Sequence, residues 1–285
     1  MDIKFIASDI DGTIIDKERK ISKNTKDVIS QLPNLGIHFA LITGRSFEGA
    51  FKIADQLGLA SKDFGVIALN GLRAYRGDQT LIFEEPGLSY QDCEVLEKIG
   101  KNFYVGVLYC FDDKVYLQMD DRTYQDYTIA LNPDKLRYFK EDTSANTILS
   151  LSEIKSRFDE GDQLLKVVYL QSTDYMNLII ERIQTACPNE YEPALVGDGW
   201  VEIMPSRVSK GTALKRYAKL HGLDLKETVV FGDAENDIPM FKVAQKAIAM
   251  ENAYPTLKQL ATAVTKSNYD DGVALAIESL LNLNK

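Results

Sequence analysis

The amino terminus reads IKFIASDIDGT from Ile3 to Thr13, an apolar run that ends in two aspartates and a glycine. Residues 3–8 are rich in β-branched and aromatic side chains and show no helical period, which predicts a short buried strand of a parallel sheet. Side chains along a strand repeat every two residues. We therefore expect Asp9 and Asp11 to leave the end of this strand toward the same crevice.

Helices and strands alternate on both sides of a central segment. The residues after the first strand predict a helix, a strand, a second helix and a second strand, at about 22–32, 37–42, 46–57 and 65–69. The alternation returns near the carboxyl terminus, with strands expected at 200–204, 228–231, 246–250 and 263–265 and helices at 209–221 and 273–283. Short loops between such elements predict a Rossmann-like α/β domain, in which ligands collect at the carboxyl ends of parallel strands.

The segment between these two parts has a different pattern. After Asn70-Gly71 the chain favours hairpins, and residues 84–195 predict a small α+β domain of hairpins and helices. No repeat or flexible linker separates this domain from its surroundings. We therefore expect one α/β core domain built from residues 1–83 and 196–285, with the smaller α+β domain inserted at 84–195.

Composition limits the functions that the chain can have. Its 285 residues contain 33 Lys and Arg against 42 Asp and Glu, a net charge of −9, which argues against a general affinity for nucleic acid or anionic membranes. Three cysteines without CxxC spacing indicate reduced, structural thiols. No apolar run approaches the roughly 18 residues that span a bilayer, and no signal-peptide pattern opens the chain. A cytoplasmic protein is expected.

Two carboxylates at one strand end need a cation between them. Mg²⁺ prefers oxygen ligands and also binds phosphate oxygens. With the metal in place, Asp9 or Asp11 can attack a phosphoryl group while the other carries a proton to the leaving oxygen. The alternative is that these residues only form a polar loop.

Three further polar clusters lie at predicted strand ends or on helices next to them. Thr43-Gly44 offers a hydroxyl and backbone N–H groups for an anion, or a plain helix cap. Lys210 opens a helix, where a cation is unfavourable without a nearby anion, although most lysines are simply solvated. The segment GDAEND at residues 232–237 adds carboxylates to the site. The alternative is an ordinary helix start that is rich in acidic residues. Their coincidence favours phosphoryl-transfer chemistry.

The motifs together resemble those of the haloacid dehalogenase-like phosphohydrolases of the Cof type. The resemblance rests on five segments in order, Asp9-Ile10-Asp11-Gly12-Thr13, Leu41-Ile42-Thr43-Gly44-Arg45, Ala68-Leu69-Asn70-Gly71, Val208-Ser209-Lys210-Gly211 and Gly232-Asp233-Ala234-Glu235-Asn236-Asp237. It implies that the inserted domain is a cap placed between the second and third motifs of the family. Across this cap the likeness is architectural, so it implies no particular substrate.

The resemblance also implies roles for the acidic residues and the lysine. Asp9 is expected to be the nucleophile and a Mg²⁺ ligand. Asp11 is expected to be the general acid and base, and to offer the metal its backbone carbonyl. Asp233 would complete the metal site, and Lys210 would neutralise the phosphoryl group and orient Asp9.

The remaining motif residues are expected around the phosphate. By resemblance, Thr43 and the Gly44 amide hold the transferring phosphoryl group and Asn236 helps to bind it. Asp237 would support the metal or Lys210 without touching the phosphate. Arg45 could contact the substrate or make a structural ion pair.

The function expected from these residues is hydrolysis of small phosphomonoesters, sugar phosphates or phosphorylated cofactors, by a Mg²⁺-dependent phosphatase with an aspartyl-phosphate intermediate. The alternatives are a phosphosugar mutase and a non-catalytic sensor of phosphorylated metabolites. The expected partner is a small phosphorylated metabolite, with no nucleic acid and no membrane. The chain is expected to be a monomer or a homodimer.

Overall fold

The computed structural model describes residues 2–16, 18–59, 64–130, 146–197 and 199–283. It divides into two compact units. The first, which we call the core unit, consists of Met1–Glu85 and Val208–Lys285, and the second, the inserted unit, is Pro86–Arg207. The inserted unit is thus one continuous segment between the two parts of the core unit.

Regular secondary structure follows the chain in this order. The strands are β1 Phe5–Ser8, β2 His38–Ile42, β3 Phe64–Ala68, β4 Arg73–Arg76, β5 Leu81–Glu84, β6 Gly106–Cys110, β7 Val115–Gln118, β8 Asn146–Thr147, β9 Lys166–Leu170, β10 Tyr191–Gly197, β11 Trp200–Pro205, β12 Thr228–Gly232, β13 Lys246–Ala249 and β14 Ala263–Val264. The helices are α1 Lys23–Gln31, α2 Phe47–Gln56, α3 Tyr90–Asn102, α4 Asp121–Ala130, α5 Lys155–Asp159, α6 Thr173–Ala186, α7 Lys210–Leu220, α8 Ile238–Phe241, α9 Pro255–Leu260 and α10 Gly272–Leu281.

The core unit contains an eight-stranded sheet in the order β14-β13-β12-β1-β2-β3-β4-β5. Pairing is parallel from β14 to β3, and the hairpin β4–β5 continues the sheet in antiparallel pairing. Strand β1 lies near the centre and is buried along its whole length, as expected for a strand covered on both faces. The predicted α/β fold is confirmed.

Serine side chains begin two helices of the core unit. Ser46 accepts a hydrogen bond from the Gly49 N–H at the start of α2, and Ser209 accepts one from the Thr212 N–H at the start of α7. Such bonds satisfy backbone N–H groups that have no partner inside the helix. These two helix starts therefore follow from local sequence, as predicted.

The inserted unit contains a six-stranded sheet in the order β10-β11-β9-β6-β7-β8. Helices α3 and α6 pack on one face of it and enclose a hydrophobic core. Within that core, the Tyr169 hydroxyl donates a hydrogen bond of 2.5 Å to the Leu96 carbonyl. This bond satisfies the one polar group of a fully buried side chain.

The boundary expected at residues 195 and 196 is wrong, because residues 200–204 do not belong to the core sheet. Strand β11 pairs antiparallel with β10 and with β9, so it lies inside the inserted unit. The second boundary therefore falls between Arg207 and Val208. An apolar strand pattern does not show which sheet the strand joins, and β10 itself was not predicted.

Parallel pairing brings four chain segments to one edge of the core sheet. These segments follow the carboxyl ends of β1, β2, β3 and β12 and begin at Asp9, Thr43, Leu69 and Asp233. This edge is where an α/β sheet leaves a crevice for ligands. Among the described residues, no helix is both long and apolar enough to cross a membrane.

Gly65 allows the sheet to pack closely on α7. A Cβ atom at Gly65 would overlap the hydroxyl of the buried Tyr217, which also hydrogen-bonds the His38 ring at 2.8 Å. We expect Gly65→Ala to lower the free energy of unfolding by about 1–3 kcal/mol, because a packed aromatic ring has to move. Urea denaturation measures this change.

Gly49→Ala is the matched control. A Cβ at this position in α2 would lie 3.4 Å from its nearest neighbour, Arg45 Cβ. Because alanine favours helix over glycine, we expect Gly49→Ala to be neutral or to stabilise by about 0.5–1 kcal/mol. Equal stabilities of the two variants would contradict the packing argument.

Candidate active site

A buried lysine lies between two carboxylates at the carboxyl edge of the core sheet. Lys210 Nζ donates to Asp9 Oδ1 at 2.7 Å and to Asp237 Oδ1 at 2.6 Å. Lys210 is 1% exposed and Asp9 is 5% exposed. An ammonium group removed from water is tolerated only when anions and hydrogen bonds replace the lost hydration. The three side chains thus form one buried ionic cluster.

The position of Lys210 accounts for its unusual sequence context. It is the first residue of α7, where the helix dipole disfavours a positive charge. Asp9 and Asp237 supply the anions that a lysine at this position requires. The alternative, that Lys210 is a solvated surface lysine, is excluded because the side chain is buried.

Asp237 uses both of its carboxylate oxygens inside the protein. Oδ1 accepts from Lys210, while Oδ2 accepts from the backbone N–H groups of Asp233 and Ala234 at 2.9 and 3.0 Å. Gly232 has to be a glycine here, because a Cβ atom would overlap the Asp237 carboxylate. Asp237 therefore fixes both the lysine and the loop after β12.

Asp233 connects that loop to the loop after β1. The Thr13 hydroxyl donates to Asp233 Oδ1 at 3.1 Å. Gly12 has a φ of +71°, and a Cβ atom on it would overlap the Asp233 carboxylate. The turn after Asp11 thus needs glycine both for its backbone conformation and for this close approach.

Three carboxylates of these loops lie close together. Oxygens of Asp9, Asp233 and Asp237 all lie within 4.8 Å of one another. The oxygens of Asp237 already accept from Lys210 and from two backbone N–H groups. Carboxylate oxygens are the donors that a hard divalent ion such as Mg²⁺ prefers, so Asp9 and Asp233 fit as ligands of the metal.

Burial and neighbouring charges shift the pKa values of Asp9, Asp233 and Lys210. Burial raises the pKa of Asp9 well above its usual range, and the charge of Lys210 opposes the rise. Burial and the negative charge of Asp237 raise the pKa of Asp233 to about 7. Burial by itself lowers the pKa of Lys210, but Asp237 and Asp9 outweigh it and the pKa lies above its usual value. The single positive charge of Lys210 does not balance the three carboxylates, so a further cation would reduce the repulsion between them.

Asp11 is held differently from Asp9. Arg45 Nε donates to Asp11 Oδ2 at 2.7 Å and Arg45 Nη2 donates to Asp11 Oδ1 at 2.6 Å. The Asp11 side chain is 57% exposed. In the described part of the chain, the group of close carboxylates consists of Asp9, Asp233 and Asp237 and does not include Asp11. Arg45 was expected either to contact the substrate or to make a structural ion pair, and the structure shows the ion pair with Asp11.

Thr43 and Gly44 lie directly after β2, as predicted. Thr43 is buried, its N–H donates to the Ile67 carbonyl at 2.9 Å, and its hydroxyl accepts from the Arg45 N–H at 3.2 Å. The hydroxyl therefore stabilises the turn that precedes α2. Ser46, not Thr43, caps that helix, so the alternative reading of Thr43 as a helix cap is wrong.

Asn236 and Asn70 meet through their side-chain amides. Asn236 Nδ2 donates to Asn70 Oδ1 at 3.0 Å, while Asn236 Oδ1 is buried and has no partner in the described part of the chain. Asn70 belongs to the motif Ala68-Leu69-Asn70-Gly71, for which the sequence predicted no catalytic or binding role. The available signal was an Asn-Gly pair at the end of an apolar strand, where ligand-binding loops lie.

Comparison with known proteins relates the whole chain to one family. A family model described as haloacid dehalogenase-like hydrolase matches residues 6–277. A putative phosphatase of Streptococcus pyogenes serotype M6 is 30% identical over 284 residues, covering 97% of this chain and 98% of the relative. The Bacillus subtilis protein YwtE, named 5-amino-6-(5-phospho-D-ribitylamino)uracil phosphatase, is 31% identical over 296 residues, covering 98% of this chain and 99% of the relative.

Solved structures show the same fold. A haloacid dehalogenase-like hydrolase from Bacillus subtilis superposes with a TM-score of 0.79 at 24% identity, covering 97% of this chain and 99% of the other. The Streptococcus mutans protein SMU.1108c gives a TM-score of 0.79 at 19% identity, with 98% and 99% of the two chains covered.

Removal of the buried lysine should expose the repulsion between its partners. With no divalent cation added, we expect Lys210→Met to lower the free energy of unfolding by about 3–5 kcal/mol, because Asp9 and Asp237 stay buried without their counterion. A carboxyl group whose folded-state pKa is raised destabilises the fold at pH values above that pKa, and protonation relieves the effect as the pH falls. The deficit should therefore be larger at about pH 8 than at about pH 5.

Urea denaturation of wild type and variant at both pH values measures this deficit. Lys215→Met replaces an exposed lysine of the same helix and should change stability by less than about 0.5 kcal/mol. A deficit of equal size at both pH values would contradict the assignment to buried carboxylates.

Proposed function

The chain belongs to the haloacid dehalogenase-like hydrolase family and is a phosphoric monoester hydrolase, and on this premise we propose that it hydrolyses small phosphomonoesters through a Mg²⁺-dependent aspartyl-phosphate mechanism. The observation that carries this proposal is the buried contact of Lys210 with Asp9. A carboxylate held against a buried ammonium group suits attack on a phosphoryl group, whose negative charge the same ammonium offsets.

Asp9 is the nucleophile in this proposal. Lys210 engages its Oδ1, so attack on phosphorus falls to the other oxygen. As the new Asp9–phosphorus bond forms, the bond from phosphorus to the ester oxygen breaks. Water then attacks the phosphorus, which releases inorganic phosphate and returns Asp9 to its free carboxylate.

Asp11 transfers the protons. It donates a proton to the departing ester oxygen and takes one from the attacking water, so its protonation state is restored at the end. The structure pairs Asp11 with Arg45 through both oxygens. Asp11 therefore has to release Arg45 before it can carry a proton, and its exposed side chain leaves it room to rotate.

The metal site is assigned to Asp9, Asp233 and the backbone carbonyl of Asp11. Asp237 supports this site without being counted as a ligand, since Lys210 and two backbone N–H groups already use its oxygens. When bound, Mg²⁺ would supply positive charge against the phosphoryl oxygens and the excess carboxylates.

The phosphoryl group is assigned to Thr43, Gly44, Lys210 and Asn236. A hydroxyl, a backbone N–H, an ammonium group and an amide provide donors for its oxygens without a positively charged surface. This assignment agrees with the net charge of −9.

Selection among substrates is assigned to the inserted unit Pro86–Arg207. All of the catalytic, metal-binding and phosphate-binding residues proposed above belong to the core unit. Groups that recognise the rest of the substrate then have to come from other residues. The relative YwtE is named for a phosphorylated ribityl compound, so that compound belongs in the substrate panel with sugar phosphates and phosphorylated cofactors.

Replacement of the nucleophile should abolish phosphate release. We expect Asp9→Asn to lower kcat by more than about a thousandfold, since an amide oxygen is a poor nucleophile. Release of inorganic phosphate across the substrate panel measures this loss. Asp27→Asn removes an exposed carboxylate of α1 and should keep the wild-type rate. Wild-type turnover in Asp9→Asn would refute the assignment, and isomerised sugar phosphate without phosphate release would indicate a mutase.

Removal of divalent metal should stop the reaction reversibly. We expect no phosphate release in excess EDTA and full recovery when Mg²⁺ exceeds the chelator, because the carboxylates then regain their counterion. Ca²⁺ is larger and binds with less regular geometry, so it should restore the rate poorly. Undiminished activity in EDTA would remove the metal from the mechanism.

A further inference from the structure

The turn after β3 contacts the other loops of the candidate site. It comprises Leu69, Asn70 and Gly71, whose φ angles are +53°, +53° and +109°. Left-handed backbone is rare for residues other than glycine, and asparagine adopts it more readily than most. A run of such residues persists only where surrounding contacts hold it, and such runs concentrate at functional sites.

Backbone hydrogen bonds join this turn to residues 43–45, which carry the proposed phosphate donors of Thr43 and Gly44 and which we call the phosphate loop. The Asn70 N–H donates to the Thr43 carbonyl at 2.8 Å, and the Leu69 N–H donates to the Arg45 carbonyl at 2.9 Å. The turn therefore holds the carbonyl of the residue on each side of Gly44. The Thr43 carbonyl and the Gly44 N–H belong to the same planar peptide unit, so the bond from Asn70 also fixes the direction of the N–H that is proposed to meet the phosphoryl group.

The Asn70 side chain joins the turn to the loop after β12. Asn70 is 6% exposed, and its Oδ1 accepts one of the two amide hydrogens of Asn236. The amide of Asn236 has four possible hydrogen bonds, and its buried Oδ1 has no partner among the described residues. The hydrogen bond to Asn70 therefore orients the Asn236 amide. The second hydrogen on Asn236 Nδ2 can point to a ligand.

Packing joins the same turn to the helix that carries Lys210. A Cβ atom on Gly71 would overlap the Ala213 side chain and crowd the Ser209 carbonyl at 2.8 Å. The turn therefore lies directly against the first residues of α7. It touches the phosphate loop, the Asn236 loop and the start of α7.

We infer that Asn70 is a positioning residue for phosphate binding, which acts by orienting the Asn236 amide toward the phosphoryl group. This inference rests on the proposed function. A purely structural asparagine in a left-handed turn would need no partner at the candidate site. The bond to an otherwise unsatisfied buried amide is what separates Asn70 from such a residue.

Asn70→Gly is the informative substitution. Glycine adopts the left-handed conformation without strain, so the backbone bonds to the phosphate loop should remain while the side-chain acceptor is removed. Asn282 has the same conformation, with a φ of +54°, at the end of α10 and has no part in the proposed site. Asn282→Gly is therefore the matched control.

The test is a double-mutant cycle of Asn70→Gly and Asn236→Ala. For each protein we would measure kcat, KM and the inhibition constant of inorganic phosphate. Asn70→Gly should lower kcat/KM about tenfold and weaken phosphate inhibition by a similar factor, because one oriented hydrogen bond is lost. In the Asn236→Ala background, Asn70→Gly should change both quantities less than about twofold, since its target is already gone. Asn282→Gly should keep the wild-type constants.

Two outcomes would overturn the inference. One is wild-type phosphate inhibition and kcat/KM in Asn70→Gly. The other is an equal effect of Asn70→Gly with and without Asn236, which would mean that Asn70 acts on the site only through general structure. Absence of phosphate release from the wild-type protein would instead be a failure of the proposed function, so the two failures are distinguishable.

Discussion

The buried ammonium group of Lys210 is the constraint on which the candidate site depends. A lysine removed from water is stable only with anions at hydrogen-bond distance, and Asp9 and Asp237 provide them at 2.7 and 2.6 Å. These residues come from the first loop of the chain and from its last third. The ion cluster therefore ties the two separated parts of the core unit together at the carboxyl edge of the sheet.

The same cluster is also incompletely neutralised. Oxygens of three carboxylates lie within 4.8 Å of one another around one lysine, and burial and repulsion raise the pKa values of Asp9 and Asp233. Such an arrangement costs stability unless another cation binds, a feature expected where function and not packing selects the residues. Asp11, exposed and paired with Arg45, does not share this strain, which suits a residue that has to move.

Local sequence predicted most of the elements that carry the site. The strand before Asp9 and the helices begun by Ser46 and Ser209 were expected from apolar runs and caps, which are short-range signals. Strand pairing is not short-range. The strand β11 was therefore placed in the wrong domain, and β10, its partner, was not predicted.

By itself, the sequence determined the α/β fold, the order of the motifs and the chemical types gathered at the strand ends, because periodicity and strand-end position are properties of neighbouring residues. Tertiary structure alone decided which of those groups touch: Lys210 with Asp9 and Asp237, Asp11 with Arg45, and Asn236 with Asn70. These partners are between 27 and 201 positions apart. Their meeting depends on sheet order and helix packing, which no local pattern encodes.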